Sequence, residues 1–225
     1  MVSLRKLKNG MYSTVYFTVL KLASFFKMNV IIGSKMALFS ASSILHPLAG
    51  RLLGRSAVYL LFGLSVIFHF VKGSPLSFYC VYGIPSFCAA LYTAHKSKSI
   101  RLFLPLACMI LFSLHPVGRQ VIPYSFYWLI PVVLYFVKRR SLFFDALGAT
   151  FVAHAVGSVC WVYLIPMPVA YWWGLIPVVA FERLSYAVGA VIFYTCLQYA
   201  QELYISFKKE GIAAGVSLFC EKVRG

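Results

Sequence analysis

Residues 142–165 read LFFDALGATFVAHAVGSVCWVYLI, and this stretch is the most informative part of the sequence. It holds 24 residues, with one acidic side chain, Asp145, near its start and no Lys or Arg. About 20 mostly apolar residues in a helix are enough to cross the hydrocarbon layer of a bilayer. The stretch therefore predicts a membrane-spanning helix.

Small residues recur at every fourth position of this stretch, at Ala149, Ala153 and Gly157. In a helix this spacing puts them on one stripe. Small side chains let a neighbouring backbone approach closely, which favours helix association where lipid provides no hydrophobic drive. We therefore expect this helix to lie at the centre of a bundle.

A second face of the same helix carries polar side chains. His154, Ser158 and Trp161 follow one another at positions i, i+4 and i+7. An imidazole, a hydroxyl and an indole N–H at membrane depth are suited to a polar ligand, and they are equally suited to hydrogen bonds that hold helices together. The sequence leaves both interpretations open, and the three are candidate ligand-binding residues.

The whole chain has the composition of a membrane protein. Of its 225 residues, 61% are hydrophobic and 12% are charged, whereas soluble domains have about 45–50% and about 25%. The predicted fold is all-α, a polytopic transmembrane bundle of about six to eight spans. Residues 1–27 are predicted to form a basic arm and an amphipathic or imperfect first span, 28–206 the bundle, and 207–225 a short basic cytoplasmic tail. The clearer apolar runs are 29–49, 56–71, 76–94, 102–117, 122–137, 142–165 and 168–206.

Positive charge dominates the loops. Lys and Arg total 21 against five Asp and Glu, which gives a net charge of +16. The basic residues concentrate in alternate loops at 51–55, 96–101 and 138–140, and basic loops stay on the cytoplasmic side of a membrane, where they meet anionic lipid. This pattern predicts a multi-pass protein of a bacterial-type inner membrane. It also favours a crossing by residues 11–27, which places both termini in the cytoplasm. No basic stripe typical of a nucleic-acid site is present.

Three charged residues fall near membrane depth: Asp145, Glu182 and Arg183. Ionisable groups inside a membrane are candidates for function by default, so these three are also candidate ligand-binding residues. Adjacent helical residues point about 100° apart, so Glu182 and Arg183 are not expected to pair simply with each other. Arg183 is predicted to pair with Asp145, and Glu182 with a basic loop residue. A position of both charges among the lipid headgroups is the alternative.

Motifs for catalysis or for a resident cofactor are missing from the sequence. We find no nucleophile elbow, no HExxH, no paired Asp and no phosphate-binding loop. The six cysteines are scattered and lack the spacing of a zinc site or a disulfide framework. We therefore assign no catalytic residue, metal or cofactor, and the sequence favours a protein that is not an enzyme.

In size, apolar content and basic loops the chain resembles the substrate-binding S components of energy-coupling-factor transporters. The motif that carries the resemblance is the small-xxx-small pattern Ala37-Leu38-Phe39-Ser40-Ala41 in the first clear span. The resemblance implies a six-helix bundle that captures a vitamin or similar trace nutrient. It also implies that Ala37 and Ala41 meet a coupling membrane subunit, which works with a separate ATPase.

Three functions follow from these patterns. The first is a transport component that takes up a small nutrient of unknown identity. The second is a polytopic enzyme acting on a lipid or polyprenyl substrate, with His154, Asp145 and Glu182 as acid or base groups. The third is an assembly factor that binds other membrane proteins through small-residue helix faces.

Overall fold

A computed structural model gives the fold, and its described part is helical almost throughout. The prediction of a helical fold class is thereby confirmed for this part of the chain. The chain divides into two compact units, residues 1–190 and residues 191–225. The described residues are 16, 18–20, 22–23, 27–28, 39–40, 42–73, 75–95, 97–137 and 141–224.

The first predicted span is not a continuous helix. Lys27–Met28 (β1) and Phe39–Ser40 (β2) pair as short antiparallel strands, and helix α1 covers Ser42–Leu53. The prediction of a span over 29–49 is therefore wrong in its bounds. Apolar content fixes burial but does not distinguish strand from helix over a short run. Ala37 and Ala41 lie outside the described residues.

A glycine separates the next helix from α1. Gly54 has φ 79° and ψ 179°, a backbone conformation that only glycine adopts readily. It ends α1 and allows α2, Arg55–Val71, to begin at once in a new direction. The following segment is helical without a break through Leu76–Phe78 (α3), a π-helical turn at Tyr79–Gly83, and Ile84–Ala94 (α4).

The middle of the chain also has a π-helical turn that is continuous with an α-helix. A second π-helical turn at Ser99–Phe103 leads directly into α5, Leu104–Leu114. Pro116–Arg119 forms the short helix α6. Ile122–Ser125 (α7), a 3-10 turn at Phe126–Trp128 and Leu129–Phe136 (α8) then form one helical segment.

The last two helices are the longest. Helix α9 covers Leu142–Leu164, and the Ser141 hydroxyl accepts a hydrogen bond from Phe144 N at its start. Helix α10 covers Val169–Arg224 and contains Pro177. The predicted apolar run 168–206 lies almost entirely in this one helix, which continues through Glu182 and Arg183 without a break.

The core of the first unit surrounds α9. Phe112, Trp128 and Trp172 are buried, and the Phe112 ring makes edge-to-face contacts at 5.2 Å between centroids with both indoles. Such aromatic pairs add to the free energy gained from burial. They fix α5, the 3-10 turn and the start of α10 around one side of α9.

Length and composition identify two helices that could cross a membrane. They are Leu142–Leu164 and the Val169–Leu203 part of α10. Arg55–Val71, Ser99–Leu114 and Ile122–Phe136 are apolar as well but shorter.

Candidate functional site

A cavity of about 150 Å³ lies inside the first unit. Its walls come from α1, the Tyr79–Gly83 turn with α4, Tyr124 of α7, α9, and the start of α10. Most of the lining is apolar or aromatic, with a few polar side chains. This combination is typical of small-molecule sites, in which apolar walls enclose the ligand and a few polar groups orient it.

Five of the six predicted ligand-binding residues line this one cavity. They are His154, Ser158 and Trp161 of α9, with Glu182 and Arg183 of α10. The i, i+4, i+7 spacing on α9 turns three of them to the same side. Helix α10 brings the other two to the facing wall.

His154 is the centre of a buried hydrogen-bond network. Trp128 Nε1 donates to His154 Nδ1 at 3.0 Å, and the Tyr124 hydroxyl lies 2.7 Å from His154 Nε2. An indole N–H can only donate, so Nδ1 is an acceptor and the ring proton is on Nε2. The imidazole in this arrangement is neutral, and Nε2 donates to the Tyr124 oxygen.

Ser158 completes the network. Its Oγ lies 3.3 Å from the Tyr124 hydroxyl and 3.4 Å from His154 Nε2. The three polar groups therefore form a triangle at the cavity wall. This arrangement leaves His154 without a free nitrogen lone pair, so it has no basic atom available to accept a proton from a substrate.

Glu182 and Arg183 form an ion pair with each other. Arg183 Nη2 lies 2.6 Å from Glu182 Oε2, and the Tyr186 hydroxyl donates to Glu182 Oε1 at 3.0 Å. The prediction that these neighbours do not pair is wrong. Both side chains are long enough to cover their angular separation, and in buried surroundings two opposite charges attract strongly. Tyr186 lies one turn further on, where its ring is also 5.1 Å from the Arg183 guanidinium carbon.

Asp145 lies outside the cavity, which corrects a second prediction. Its partners are Arg101, at 3.1 Å between Nη2 and Oδ1, and Arg51, at 3.6 Å between Nη1 and Oδ2. The predicted partner, Arg183, binds Glu182 instead. Asp145 lies near the start of α9, and Trp161 lies near its end. Asp145 therefore contacts Arg51 of α1 and Arg101 of the second π-helical turn and does not line the cavity.

The small residues of α9 face α4. Ala149 is fully buried in a cluster with Ala89 and Tyr92, and Ala153 packs at its edge. A Cβ added to Gly157 would lie 3.4 Å from Pro85 Cγ. The stripe thus serves close packing between these two helices, and Ala153 and Gly157 also form part of the cavity wall.

Sequence reasoning missed four residues of this site. Tyr124, Trp172 and His46 line the cavity, and Trp128 fixes the orientation of His154. Nothing in the sequence links Tyr124 to His154, 30 positions away.

Within the described ranges, no group of three or more His, Cys, Asp or Glu side chains is arranged to hold a metal ion. Comparison with protein families, with curated proteins and with solved structures found no match.

Proposed function

We propose that this chain is a multi-pass membrane protein that captures a small molecule in the α9–α10 cavity as part of a nutrient uptake system. The observation that carries the proposal is the convergence of His154, Ser158, Trp161, Glu182 and Arg183 on one apolar cavity. Burying polar and ionisable groups at membrane depth costs free energy, so such groups are functional candidates. The cavity that these side chains line is the place where a ligand would bind.

The distribution of polarity on α10 supports a lipid environment. Glu182 and Arg183 are 3% and 5% exposed, whereas their neighbours Phe181 and Leu184 are 65% and 49% exposed. A helix in water would show the reverse. In a bilayer, charged side chains face the bundle interior and apolar ones face lipid.

Helix α2 supports the same environment. Large apolar side chains project from it over most of its length, among them Leu60, Ile67 and Phe70, each more than half exposed. Apolar surface of this extent is rare on soluble monomers. We propose that lipid covers it.

The helices of the first unit run between two ends. At one end Asp145, Arg51 and Arg101 lie within ion-pair distance. At the other end the rings of His115 and Tyr163 are 4.9 Å apart. We propose that six segments cross the bilayer between these ends. They are α2, α3 with α4, the second π-helical turn with α5, α7 with α8, α9, and α10.

The basic end is proposed to be cytoplasmic, because positively charged loops are retained there. A bacterial-type inner membrane suits this arrangement. The sequence contains no nucleotide-binding motif, so energy-driven uptake would need separate ATPase and coupling subunits. Six crossings also agree with the S-component resemblance.

The enzyme alternative has less support. It required His154, Asp145 and Glu182 as acid or base groups. His154 has both nitrogens in hydrogen bonds, Glu182 is in an ion pair, and Asp145 is outside the cavity. General acid–base catalysis needs a group within reach of the substrate and able to exchange a proton.

Mass spectrometry of small molecules released from the detergent-purified chain tests the proposal. Val178 lines the cavity, and Val188 lies on the same helix, outside the cavity and partly exposed. We expect the wild type and Val188→Trp to release one reproducible compound, and Val178→Trp to lose it because the indole fills the space. Co-purification with an ATPase and a coupling protein would support uptake.

Other results would contradict the proposal. The absence of any reproducible compound and of an ATPase partner would remove the uptake function. Bound lipid with turnover that His154→Ala abolishes would favour the enzyme. A stable complex with one membrane protein and no bound compound would favour the assembly factor.

A further inference from the structure

We infer that the cavity takes a neutral, planar molecule of about one ring that carries hydrogen-bond acceptors on its edge. This inference rests on the proposed function, because it names the class of the captured molecule. It follows from the size, the charge and the hydrogen-bond balance of the cavity wall.

The volume limits the ligand to a small molecule. A cavity of about 150 Å³ is the size that holds one benzene molecule in a protein core. Typical sites for larger ligands have about 300–1,000 Å³. A single ring with a short substituent fits this space.

The charge of the wall favours a neutral ligand. The two formally charged lining residues are Glu182 and Arg183, and they bind each other at 2.6 Å. Both Glu182 oxygens have a partner, since Tyr186 donates to the second one. A charged ligand would therefore enter an apolar space without a compensating charge, which is strongly unfavourable.

The network around His154 has one hydrogen more than it can use. His154 Nε2, the Tyr124 hydroxyl and the Ser158 hydroxyl each carry one hydrogen, and Nε2 cannot accept because it is protonated. Nε2 donates to one hydroxyl, and that hydroxyl donates to the other. The last hydroxyl hydrogen has no acceptor in the described part of the chain. A ligand acceptor would satisfy it.

Two indoles add to this surplus of donors. Trp161 and Trp172 both line the cavity. Their N–H groups are shielded from solvent, and neither has an acceptor among the residues that the structure describes. A buried donor without a partner is destabilising. These two N–H groups and the surplus hydroxyl hydrogen are donors that a ligand with acceptors on its edge would satisfy.

Aromatic rings around the cavity favour a flat ligand. The Trp161 ring meets Tyr82 at 6.3 Å between centroids, and the Trp172 ring meets Tyr124 at 5.1 Å, both edge to face. These rings form rigid, flat walls. A planar ring packs against such walls in the offset or edge-to-face arrangements that aromatic groups prefer.

Equilibrium dialysis with four probes tests the inference on the detergent-purified full chain. The probe 3-acetylpyridine is neutral and has two acceptors, isopropylbenzene has a similar shape without acceptors, and benzoate and benzylamine carry opposite charges. Binding to the Val178→Trp variant gives the background from detergent. We expect saturable binding of 3-acetylpyridine at least ten times tighter than that of the other three probes.

Three variants test the donors. Trp161→Phe and Trp172→Phe each remove one hydrogen-bond donor without removing an acceptor, so 3-acetylpyridine should bind about five to ten times more weakly to each. Trp173→Phe is the matched control, because Trp173 is half exposed and outside the cavity. It should leave binding unchanged.

Tighter binding of benzoate or benzylamine, or equal binding of isopropylbenzene, would overturn the inference. So would binding that neither Trp161→Phe nor Trp172→Phe weakens. If no probe binds while the purified chain still releases a compound that Val178→Trp loses, the ligand class is wrong and the proposed function stands. If no probe binds and no compound is released, both fail.

Discussion

Arg101 and Arg51 bind the same carboxylate in different surroundings. Arg101 is 2% exposed and also donates to the Tyr92 carbonyl at 3.0 Å, with its guanidinium 4.4 Å from the centre of the Tyr92 ring. The Arg51 side chain is 41% exposed. A buried charge pair that loses one partner leaves an uncompensated charge, whereas an exposed pair is screened by water. The two arginines should therefore differ in their contribution to stability.

We predict that Arg101→Ala lowers the free energy of unfolding by about 3 kcal/mol, because Asp145 keeps only the longer contact with Arg51. Arg51→Ala should lower it by less than about 1 kcal/mol. Chemical unfolding in one detergent measures both values. Equal losses would contradict the assignment of Arg101 as the main partner of Asp145.

For single residues, the sequence predicts which side chains share a face of one helix, but it does not predict side-chain contacts between different helices. His154 and Ser158 share a face because their spacing is four residues, and this was predicted. Trp128 and Asp145 find their partners through tertiary packing. Arg101 was interpreted as a loop charge, since nothing in its neighbourhood shows that the chain turns it inward.

Helix α9 approaches α4 closely at two glycines. A Cβ on Gly148 would overlap the Tyr92 hydroxyl, and a Cβ on Gly157 would only touch Pro85. Tyr92 is fully buried beneath Arg101 and cannot turn aside easily. A Cβ added to Gly174 on α10 would meet no atom within 4 Å. Alanine substitutions at these three glycines therefore separate the effect of close packing from that of helix propensity.

We predict that Gly148→Ala destabilises the protein by about 1–3 kcal/mol, because overpacking displaces a rigid ring. Gly157→Ala should change stability by less than about 1 kcal/mol, since its contact is of ordinary length. Gly174→Ala should stabilise by about 0.5–1 kcal/mol, because Ala favours a helix. Thermal unfolding of the three variants in detergent gives the order. A Gly148→Ala variant as stable as Gly174→Ala would contradict the close contact.

For whole elements, the apolar pattern of the sequence did not predict the two π-helical turns. Tyr79–Gly83 lies inside the predicted span 76–94, and Ser99–Phe103 overlaps only the start of the predicted span 102–117. A π turn inserts one residue per turn and rotates all that follows. The first lines the cavity, and the second contains Arg101. Apolar periodicity predicts the helical segments. Nothing in the composition marks the position of the residue that a π-helical turn inserts.

The positions of the charged residues and the direction of the chain support the proposed topology. Arg51 of α1, Arg101 of the second π-helical turn and Asp145 of α9 lie together at one end of the first unit. Lys72 follows α2, and Lys98 precedes α5, so these exposed residues fall at opposite ends of the helices. In the proposed topology the Lys98 end is cytoplasmic, because positively charged loops are retained there, and the Lys72 end faces outward.

Cysteine labelling in intact cells tests this assignment. In a background with all six native cysteines replaced by Ala, we predict that a membrane-impermeant maleimide labels Lys72→Cys and does not label Lys98→Cys. Permeabilised cells should show labelling of both, and the background protein without cysteines is the control. Labelling of both from outside would mean that the segment between them, α3 with α4, does not cross the bilayer. Labelling of Lys98→Cys alone would invert the topology and separate the basic end from the cytoplasm.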